Sequence, residues 1–300
     1  MKLGIVVVYL FGEESTALLD LHLRQLAAHT TGPYVIHGSA NRLAPPLRTH
    51  LAAQPCVRLH DLPATTLRGG EEHAYYLDHL VRLAVADGVT HVAIMHLDSF
   101  PVRAGWAEEL ADRLSDTCVL ATLPGIHTAC LLFRREFYER YHPPLRLSAA
   151  VRASPAYREF LTRCQPIEHT GIGYGFTAFT HGLSWATLRQ TQGGGPHDHG
   201  TVYDDLIFHL RAAVWLGEQS PPPLGLLGSP AYRWLVRVVS AAGRAVLPLA
   251  ARQRLRGWLA GPFRRLVDRP RAVDRGAQIR HAKSCMVADL EAYLARLPRR

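Results

Sequence analysis

Residues 90–101 read Thr-His-Val-Ala-Ile-Met-His-Leu-Asp-Ser-Phe-Pro. The run up to Leu97 predicts a buried strand that leads straight into a polar turn at Asp98. Strand alternation places His96 and Asp98 on one side, so both project from the carboxyl end of the strand. Open α/β sheets bind ligands at that end. A carboxylate with an imidazole two residues before it could hold a divalent cation, although a plain Asp in a strand-terminating turn is the simpler interpretation.

Strand-like and helix-like runs alternate from the start of the chain to about residue 125. This order predicts an α/β fold with a mainly parallel central sheet and helical crossovers. The predicted strands are Gly4–Leu10, Pro33–His37, Val57–His60, Thr90–Leu97 and Thr117–Leu123, and the predicted helices are Ser15–His29, Glu71–Ala86 and Ala104–Leu114. Further along, His142–Pro155 is interpreted as a connection or flap, and the glycine-rich run Gly171–Phe179 as a loop that feeds a short strand.

Composition excludes several classes of protein. The 300 residues are 48% hydrophobic and 20% charged, which is enough apolar chain to bury a full core and argues against disorder. The five cysteines are scattered without a Cys-x-x-Cys pair, so neither a disulfide framework nor a cysteine zinc site is indicated. The apolar run 3–11 is too short to span a bilayer and is interpreted as a buried strand instead of a signal peptide. We therefore expect a cytoplasmic protein, at most peripheral at the inner face of the membrane.

The formal net charge of +9 is spread unevenly. Residues 231–300 hold 16 Lys/Arg and 4 Asp/Glu, a net of +12, whereas the first 230 residues have a net of −3. We expect a catalytic domain over residues 1–215, a Pro/Gly-rich linker over 216–230 and a basic helical region over 231–300. No zinc finger, RNP motif or basic zipper is present, so nucleic acid is not an expected partner.

The basic region interleaves arginines with large apolar side chains such as Trp234 and Trp258. Short amphipathic helices of this composition are drawn to anionic lipid. We therefore expect binding to a membrane surface or to an anionic, lipid-linked acceptor. The alternative is a helical subdomain whose arginines are merely solvated.

Four segments, in this order, carry a family resemblance. The opening strand leads to Val8-Tyr9, the second strand leads to Gly38-Ser39-Ala40-Asn41, residues 70–78 read Gly-Glu-Glu-His-Ala-Tyr-Tyr-Leu-Asp, and residues 96–101 read His-Leu-Asp-Ser-Phe-Pro, with Gly105-Trp106 following. Together they resemble the nucleotide-sugar-dependent glycosyltransferases of the GT-A fold, in particular the family 2-like enzymes. The resemblance implies a hexosyltransferase-like enzyme, inverting, that moves a sugar from a nucleotide diphosphate donor to an unknown acceptor with the help of Mn²⁺ or Mg²⁺.

The resemblance also implies a site. Asp98 matches the metal-binding Asp of the family, and His209, which ends the tract 202–209, would be a second metal ligand. His37 and His96 stand where the family has carboxylates. The residues expected at the nucleotide and its phosphates are Tyr9, His37, Ser39, Gly70, His73 and His96. For His73 the position has an independent reason, because the amino end of a helix favours anions.

The general base is left open between Glu168, His169 and Asp205, since carboxylates and imidazoles both accept protons when suitably tuned. Two other functions remain as alternatives. With imidazoles at two carboxylate positions, the chain could be a catalytically inactive binding or scaffold protein. Residues 197–199 read His-Asp-His after a glycine-rich run, and His197 and His199 could belong to a metallohydrolase site.

Overall fold

A computed structural model describes the greater part of the chain. The described residues are 1–12, 15–164, 166, 169–194, 199–210 and 278–300. The chain divides into two compact units, one formed by Met1–Val214 with Met286–Arg300 and the other by Trp215–Cys285. The predicted linker and most of the predicted basic region lie outside the described residues.

The first unit is built on a seven-stranded sheet whose order is β3-β2-β1-β4-β7-β6-β8. Its strands are β1 (Leu3–Val7), β2 (Tyr34–Ser39), β3 (Val57–His60), β4 (His91–Met95), β6 (Cys118–Leu123), β7 (His127–Arg134) and β8 (Ser184–Thr187). All neighbouring pairs are parallel except those of β7, which runs antiparallel to both β4 and β6. The expected fold class, an α/β fold with a mainly parallel central sheet and a helical C-terminal part, is confirmed.

Among the residues described, eight helices connect these strands. They are α1 (Thr16–His29), α2 (Pro45–Ala52), α3 (Gly70–Ala86), α4 (Trp106–Ala111), α5 (Arg135–Tyr141), α6 (Ala149–Ala153), α7 (Pro155–Cys164) and α8 (Ile172–Thr180). Near the end of the chain residues 278–288 are helical, and α9 (Leu290–Ala295) follows. Within the described part of the chain, every helix is too short or too polar to cross a lipid bilayer.

Periodicity explains how α3 packs on the sheet. Its apolar residues Leu77, Leu80, Val81 and Ala84 recur at helical spacing and are fully buried. They cover the same face as Val6 of β1 and Ile94 of β4 in one continuous apolar core. Because α3 crosses back between parallel strands, its amino end lies at the carboxyl edge of the sheet.

A second sheet has four antiparallel strands in the order β5-β11-β10-β9. They are β5 (Ser99–Pro101), β9 (Gln190–Gly193), β10 (Gly200–Tyr203) and β11 (Ile207–Leu210). The last residues of the chain extend this sheet, because Arg299 bridges Gln192 and the Arg300 N–H donates to Thr191 O at 2.8 Å. Residues 286–300, expected to belong to the basic C-terminal region, therefore belong to the first unit.

Two expectations from glycine and proline content were wrong. The run that includes Gly171, Gly173 and Gly175 forms helix α8 instead of a loop and strand. A Cβ at Gly173 would meet Pro144 O at 1.9 Å, and one at Gly175 would meet Ile126 Cδ1 at 1.9 Å. The glycines let the helix pack closely against its neighbours, which is a tertiary requirement. Similarly, the expected flap 142–155 contains α6 and leads into α7.

Candidate active site

Asp98 lies three residues beyond the end of β4, at the carboxyl edge of the large sheet, and is only 3% exposed. Its Oδ1 is 3.9 Å from His96 Nδ1 and 3.8 Å from His209 Nε2. One ligand atom from each of the three residues lies within 4.8 Å of the other two, so they form a group that could hold a metal ion. Ligands about 2.1 Å from a tetrahedral ion are about 3.4 Å apart. The observed separations fit an ion after a small contraction.

Strand register explains why His209 faces Asp98. The chain continues from Asp98 directly into β5, and β5 pairs antiparallel with β11 so that Ser99 lies opposite His209. The Leu210 N–H also donates to Asp98 O at 2.8 Å. The Ser99–His209 pairing and the Leu210–Asp98 hydrogen bond together hold the Asp98 and His209 side chains close to each other. His209 lies in strand β11 and is 6% exposed.

The His96 ring is also hydrogen-bonded to Thr128, on the side away from Asp98. Its Nε2 lies 2.9 Å from Thr128 Oγ1, while its Nδ1 faces Asp98. Thr128 is the second residue of β7, and Met95 of β4 pairs with Cys130 of the same strand. Because β7 is antiparallel to β4, its amino end lies beside the carboxyl end of β4 and brings Thr128 to the site.

Five histidines contact one another through their rings, and two of them, His96 and His209, face Asp98. We call the five the histidine cluster: His73, His96, His127, His169 and His209. The His96 ring centroid is 5.0 Å from that of His73, 5.3 Å from that of His127 and 6.0 Å from that of His209. The His127 centroid is 4.2 Å from that of His169.

The cluster favours neutral imidazoles. Burial lowers the pKa of His73 to about 4, and burial also lowers the pKa of His169. For His96, burial and the neighbouring imidazoles together hold the pKa well below its usual value. Neutral imidazoles offer a nitrogen lone pair, so the cluster is suited to bind a metal ion or to accept a proton.

His127 was missed by sequence reasoning. It is the first residue of β7 and its ring contacts those of three other cluster members. Its Nδ1 accepts a hydrogen bond from the Ala129 N–H at 3.0 Å, which places the proton of the neutral ring on Nε2. The only available signal was a polar residue at the start of the apolar run 129–133, and nothing local distinguishes it from a turn residue.

The amino end of α3 also reaches the site, as expected for His73. Gly69, with a φ of +63°, precedes the helix, and His73 in its first turn contacts His96 edge to face. A Cβ at Gly70 would have no atom within 4 Å, so the backbone there is open. The structure therefore brings His73 beside the three-residue group, and the amide N–H groups of this first turn, which begins at Gly70, favour an anion.

The three candidates for the general base lie in different parts of the chain, and the structure describes two of them. His169 precedes α8 and lies in the histidine cluster, half-buried against His127. Asp205 lies in the turn between β10 and β11 with a φ of +54°, at the opposite end of β11 from His209. Asp205 and His209 are four residues apart along this turn and β11, which corresponds to at most about 13 Å. Asp205 therefore stays a prediction from the sequence that the structure does not bring into the histidine cluster, and Glu168 lies outside the described residues.

His37 was expected to line the nucleotide but its side chain faces the other way. It is 1% exposed, with its Nδ1 3.1 Å from His60 Nε2 and its Nε2 3.8 Å from Asp87 Oδ2. Asp87 ends α3 whereas His73 begins it, and fourteen residues of helix span about 21 Å. His37 is therefore a buried histidine near the far end of α3, and its expected contact with a nucleotide stays a prediction.

Tyr9 and Ser39 are buried in the core and hydrogen-bonded to each other. The Tyr9 N–H donates to Ser39 Oγ at 3.0 Å, which joins the ends of β1 and β2, and both residues are fully buried. The Tyr9 ring packs on Gly38, where a Cβ would come within 2.5 Å of Tyr9 Cε2. Burial raises the pKa of Tyr9 well above its usual value. Their expected contact with a nucleotide would require these side chains to become accessible.

The alternative hydrolase site is not assembled by the described residues. His199 is half-buried just before β10, and His197 lies outside the described residues. Among the described residues, the group that could hold a metal ion is His96, Asp98 and His209.

Comparison with known proteins adds distant structural likenesses. No family model and no curated protein sequence matches the chain. In fold, the chain is similar to glycosyltransferases. A mannosyltransferase of Pyrobaculum calidifontis, solved with GDP-Man and Mn²⁺, is 14% identical with a TM-score of 0.43, and the match covers 92% of this chain and 85% of that one. Mouse xyloside xylosyltransferase 1 is 10% identical with a TM-score of 0.42, over 63% of this chain and 85% of that one.

A third solved structure, the glycosyltransferase GlyE of Streptococcus pneumoniae, is 10% identical with a TM-score of 0.35, over 63% of this chain and 45% of that one. These likenesses are too distant to carry a function, which has to be argued from the side chains of the site.

Proposed function

We propose that the protein is a glycosyltransferase that moves a sugar from a nucleotide diphosphate donor to an acceptor, assisted by a divalent cation. The observation that carries the proposal is the convergence of His96, Asp98 and His209 at the carboxyl edge of the large sheet, beside the amino end of α3. A cation site next to a helix amino end suits a diphosphate, because both neutralise its charge. The motif that contains Asp98 supports the same reaction through the family resemblance.

Each group of the site has a role in this proposal. Asp98, His96 and His209 would hold the cation, and His73 with the first amides of α3 would orient the diphosphate. A divalent cation bound there supplies electrostatic stabilisation for charge that grows on a leaving diphosphate. His169 is our choice for the base, because its lowered pKa keeps the imidazole neutral and able to accept a proton from the acceptor hydroxyl. A base facing the acceptor would make the enzyme inverting.

Donor binding tests the proposal directly. A panel of uridine and guanosine diphosphate sugars is titrated into the full-length protein with Mn²⁺ or Mg²⁺, and thermal stability and calorimetric heat are recorded. We expect one donor class to stabilise the wild type in the presence of the cation and to release its nucleoside diphosphate on incubation. Asp98→Ala should abolish the effect, whereas His50→Gln, on the exposed surface beside Asp20, should not.

Failure of every donor to bind the wild type with any cation would overturn the proposal and favour a binding or scaffold protein. Binding without release of nucleoside diphosphate would also favour the scaffold. Equal binding by Asp98→Ala and the wild type would show that the donor occupies some other site.

The basic region leads to a proposal about location. We propose that the protein is cytoplasmic and associates reversibly with anionic membranes through residues 231–277, where arginines alternate with Trp234 and Trp258. The full-length protein should co-sediment with anionic but not neutral liposomes, and high salt should weaken this binding only in part. The double variant Trp234→Ser/Trp258→Ser should lose the salt-resistant part. Equal pelleting with both lipid types would contradict the proposal.

A further inference from the structure

The candidate cation site has two imidazoles and one carboxylate. His96 and His209 supply the imidazoles, and Asp98 supplies the carboxylate. Imidazole nitrogen suits divalent ions of the first transition series, whereas Mg²⁺ prefers a shell of oxygen ligands. Three protein ligands also leave coordination positions open for a ligand such as a diphosphate. The donor set therefore suits a borderline ion better than Mg²⁺.

The two nitrogens of His96 face different partners. Nδ1 lies 3.9 Å from Asp98 Oδ1 on the cation side, and Nε2 lies 2.9 Å from Thr128 Oγ1 on the other side. A metal-binding nitrogen must present its lone pair, so Nδ1 can bind an ion only when the proton of the neutral ring is on Nε2. In that tautomer the Nε2–H donates to Thr128 Oγ1.

Thr128 can serve both tautomers because a hydroxyl both donates and accepts. Without an ion, the Thr128 O–H can donate to Nε2 while Nδ1 keeps the proton and faces the Asp98 carboxylate. With an ion held at Nδ1, the neutral ring would carry its proton on Nε2, and the hydroxyl would accept from Nε2–H. The ring stays neutral throughout. Because Thr128 is 1% exposed, a replacement without a hydroxyl would leave the Nε2–H facing an apolar side chain.

We propose that this centre binds a borderline divalent transition ion through His96 Nδ1, His209 and Asp98, and that Thr128 is the positioning residue that stabilises the metal-binding tautomer of His96. The proposal deepens the proposed function, since it concerns the same site, and names the class of ion. In this proposal Thr128 fixes the tautomer and the orientation of the His96 ring, in addition to packing within its strand. Hydrogen-bond partners of metal-bound imidazoles commonly have this role.

The ion class is tested by calorimetric titration of the metal-free, full-length protein with Zn²⁺, Mn²⁺ and Mg²⁺, in the absence of any nucleotide sugar. We expect Zn²⁺ to bind more tightly than Mn²⁺, and both more tightly than Mg²⁺. His209→Ala identifies the heat that belongs to this site, since exposed histidines such as His50 remain in that variant. His96→Asp, which gives a second carboxylate, should narrow the gap between Zn²⁺ and Mg²⁺. Mg²⁺ binding as tight as Zn²⁺ binding in the wild type would overturn the ion class.

The role of Thr128 is tested by Thr128→Val, which keeps the shape of the side chain and removes the hydroxyl, and by Thr128→Ser, which keeps the hydroxyl. We expect Thr128→Val to weaken Zn²⁺ binding by about 10- to 100-fold and Thr128→Ser to stay close to the wild type. Melting temperatures of the metal-free variants show whether each has folded. Wild-type Zn²⁺ affinity in a folded Thr128→Val protein would overturn the role.

Nitrogen-15 NMR of the wild-type protein tests the tautomer without relying on any variant of Thr128. The His96 resonances, assigned by their loss in His96→Gln, should show a protonated Nε2 and a metal-bound Nδ1 after Zn²⁺ is added. A protonated Nδ1 in the Zn²⁺-loaded protein would overturn the proposal. The metal titrations and the NMR measurement contain no nucleotide sugar. If no donor bound, the proposed function would be contradicted, but these measurements would still decide the metal site.

Discussion

Asp98 Oδ1 lies 3.8 Å from His209 Nε2, although the two residues are far apart in the sequence and belong to different parts of the sheet structure. The distance follows from one antiparallel pairing, in which Ser99 of β5 lies opposite His209 of β11. A shift of this register by one residue would turn the His209 side chain to the other face of the small sheet. The cation site therefore depends on the pairing of β5 with β11 as much as on its own side chains.

Asp98→Asn should remove the charge of the site while keeping its shape. We expect divalent-ion affinity to fall by ~100-fold or more, because the carboxylate is the one anionic ligand in the group. Calorimetric titration of the metal-free protein measures the change, and His50→Gln serves as the control. Wild-type affinity in Asp98→Asn would show that the ion binds elsewhere.

His169→Gln should lower turnover of the donor by ~100-fold or more with little change in KM, because a general base acts in the chemical step and contributes ~10²–10⁴ in rate. The reaction followed is release of nucleoside diphosphate from the donor identified by the binding panel.

Asp205→Asn is the matched comparison for that experiment, since Asp205 was an equal candidate from the sequence and lies in the β10–β11 turn. Its turnover should match the wild type. A large loss in Asp205→Asn with normal turnover in His169→Gln would reverse our assignment of the base.

Gly173→Ala should destabilise the protein by about 1–3 kcal/mol, because its Cβ would overlap Pro144 O. Gly70→Ala is the control, since nothing lies within 4 Å of a Cβ there and alanine favours the helix by up to ~1 kcal/mol. Urea unfolding measures both differences. Equal stability of the two variants would mean that α8 can move away from residue 144 without cost.

Acid should destabilise the protein through its buried histidines. Burial lowers the pKa of His22 and of His37 to about 4, whereas an unfolded histidine has a pKa near 6.5. Between those values the unfolded chain binds more protons than the folded one, so stability falls as the pH drops from about 6.5 to about 4 and does not change through these groups above that window. Within this window, each of these histidines lowers the free energy of unfolding by up to ~1.4 kcal/mol for every pH unit of acidification.

Urea unfolding from pH 4.5 to 7.5 measures this slope. His37→Gln should reduce it, because one of the buried histidines whose pKa is lowered is then absent. An identical slope in His37→Gln and the wild type would show that His37 does not titrate with folding in this range.

Local patterns were sufficient for five of the seven strands of the large sheet and for part of the site. The sequence shows the buried runs of β1 and β4 and the apolar face of α3. In a strand, apolar residues alternate with polar ones when one face is buried and are continuous when both faces are buried, whereas in a helix they recur about every 3.6 residues. His96 and Asp98 lie just after β4, in the turn that leads to β5, and the polar turn that follows the buried run is visible in the same stretch. A strand end is a local property, so one short stretch of sequence determines it.

Tertiary structure alone decided the rest. His127 and Thr128 reach the site because β7 runs antiparallel to β4, and no local pattern gives the direction of a strand. The glycines around Gly173 resembled a loop, yet they lie in helix α8, where the backbone of residue 144 packs too closely to leave room for a Cβ. Asp205 and His209 are close in sequence, but a strand carries them to opposite ends of β11. Sequence determines which side chains can do chemistry, and strand direction, register and packing determine which of them meet.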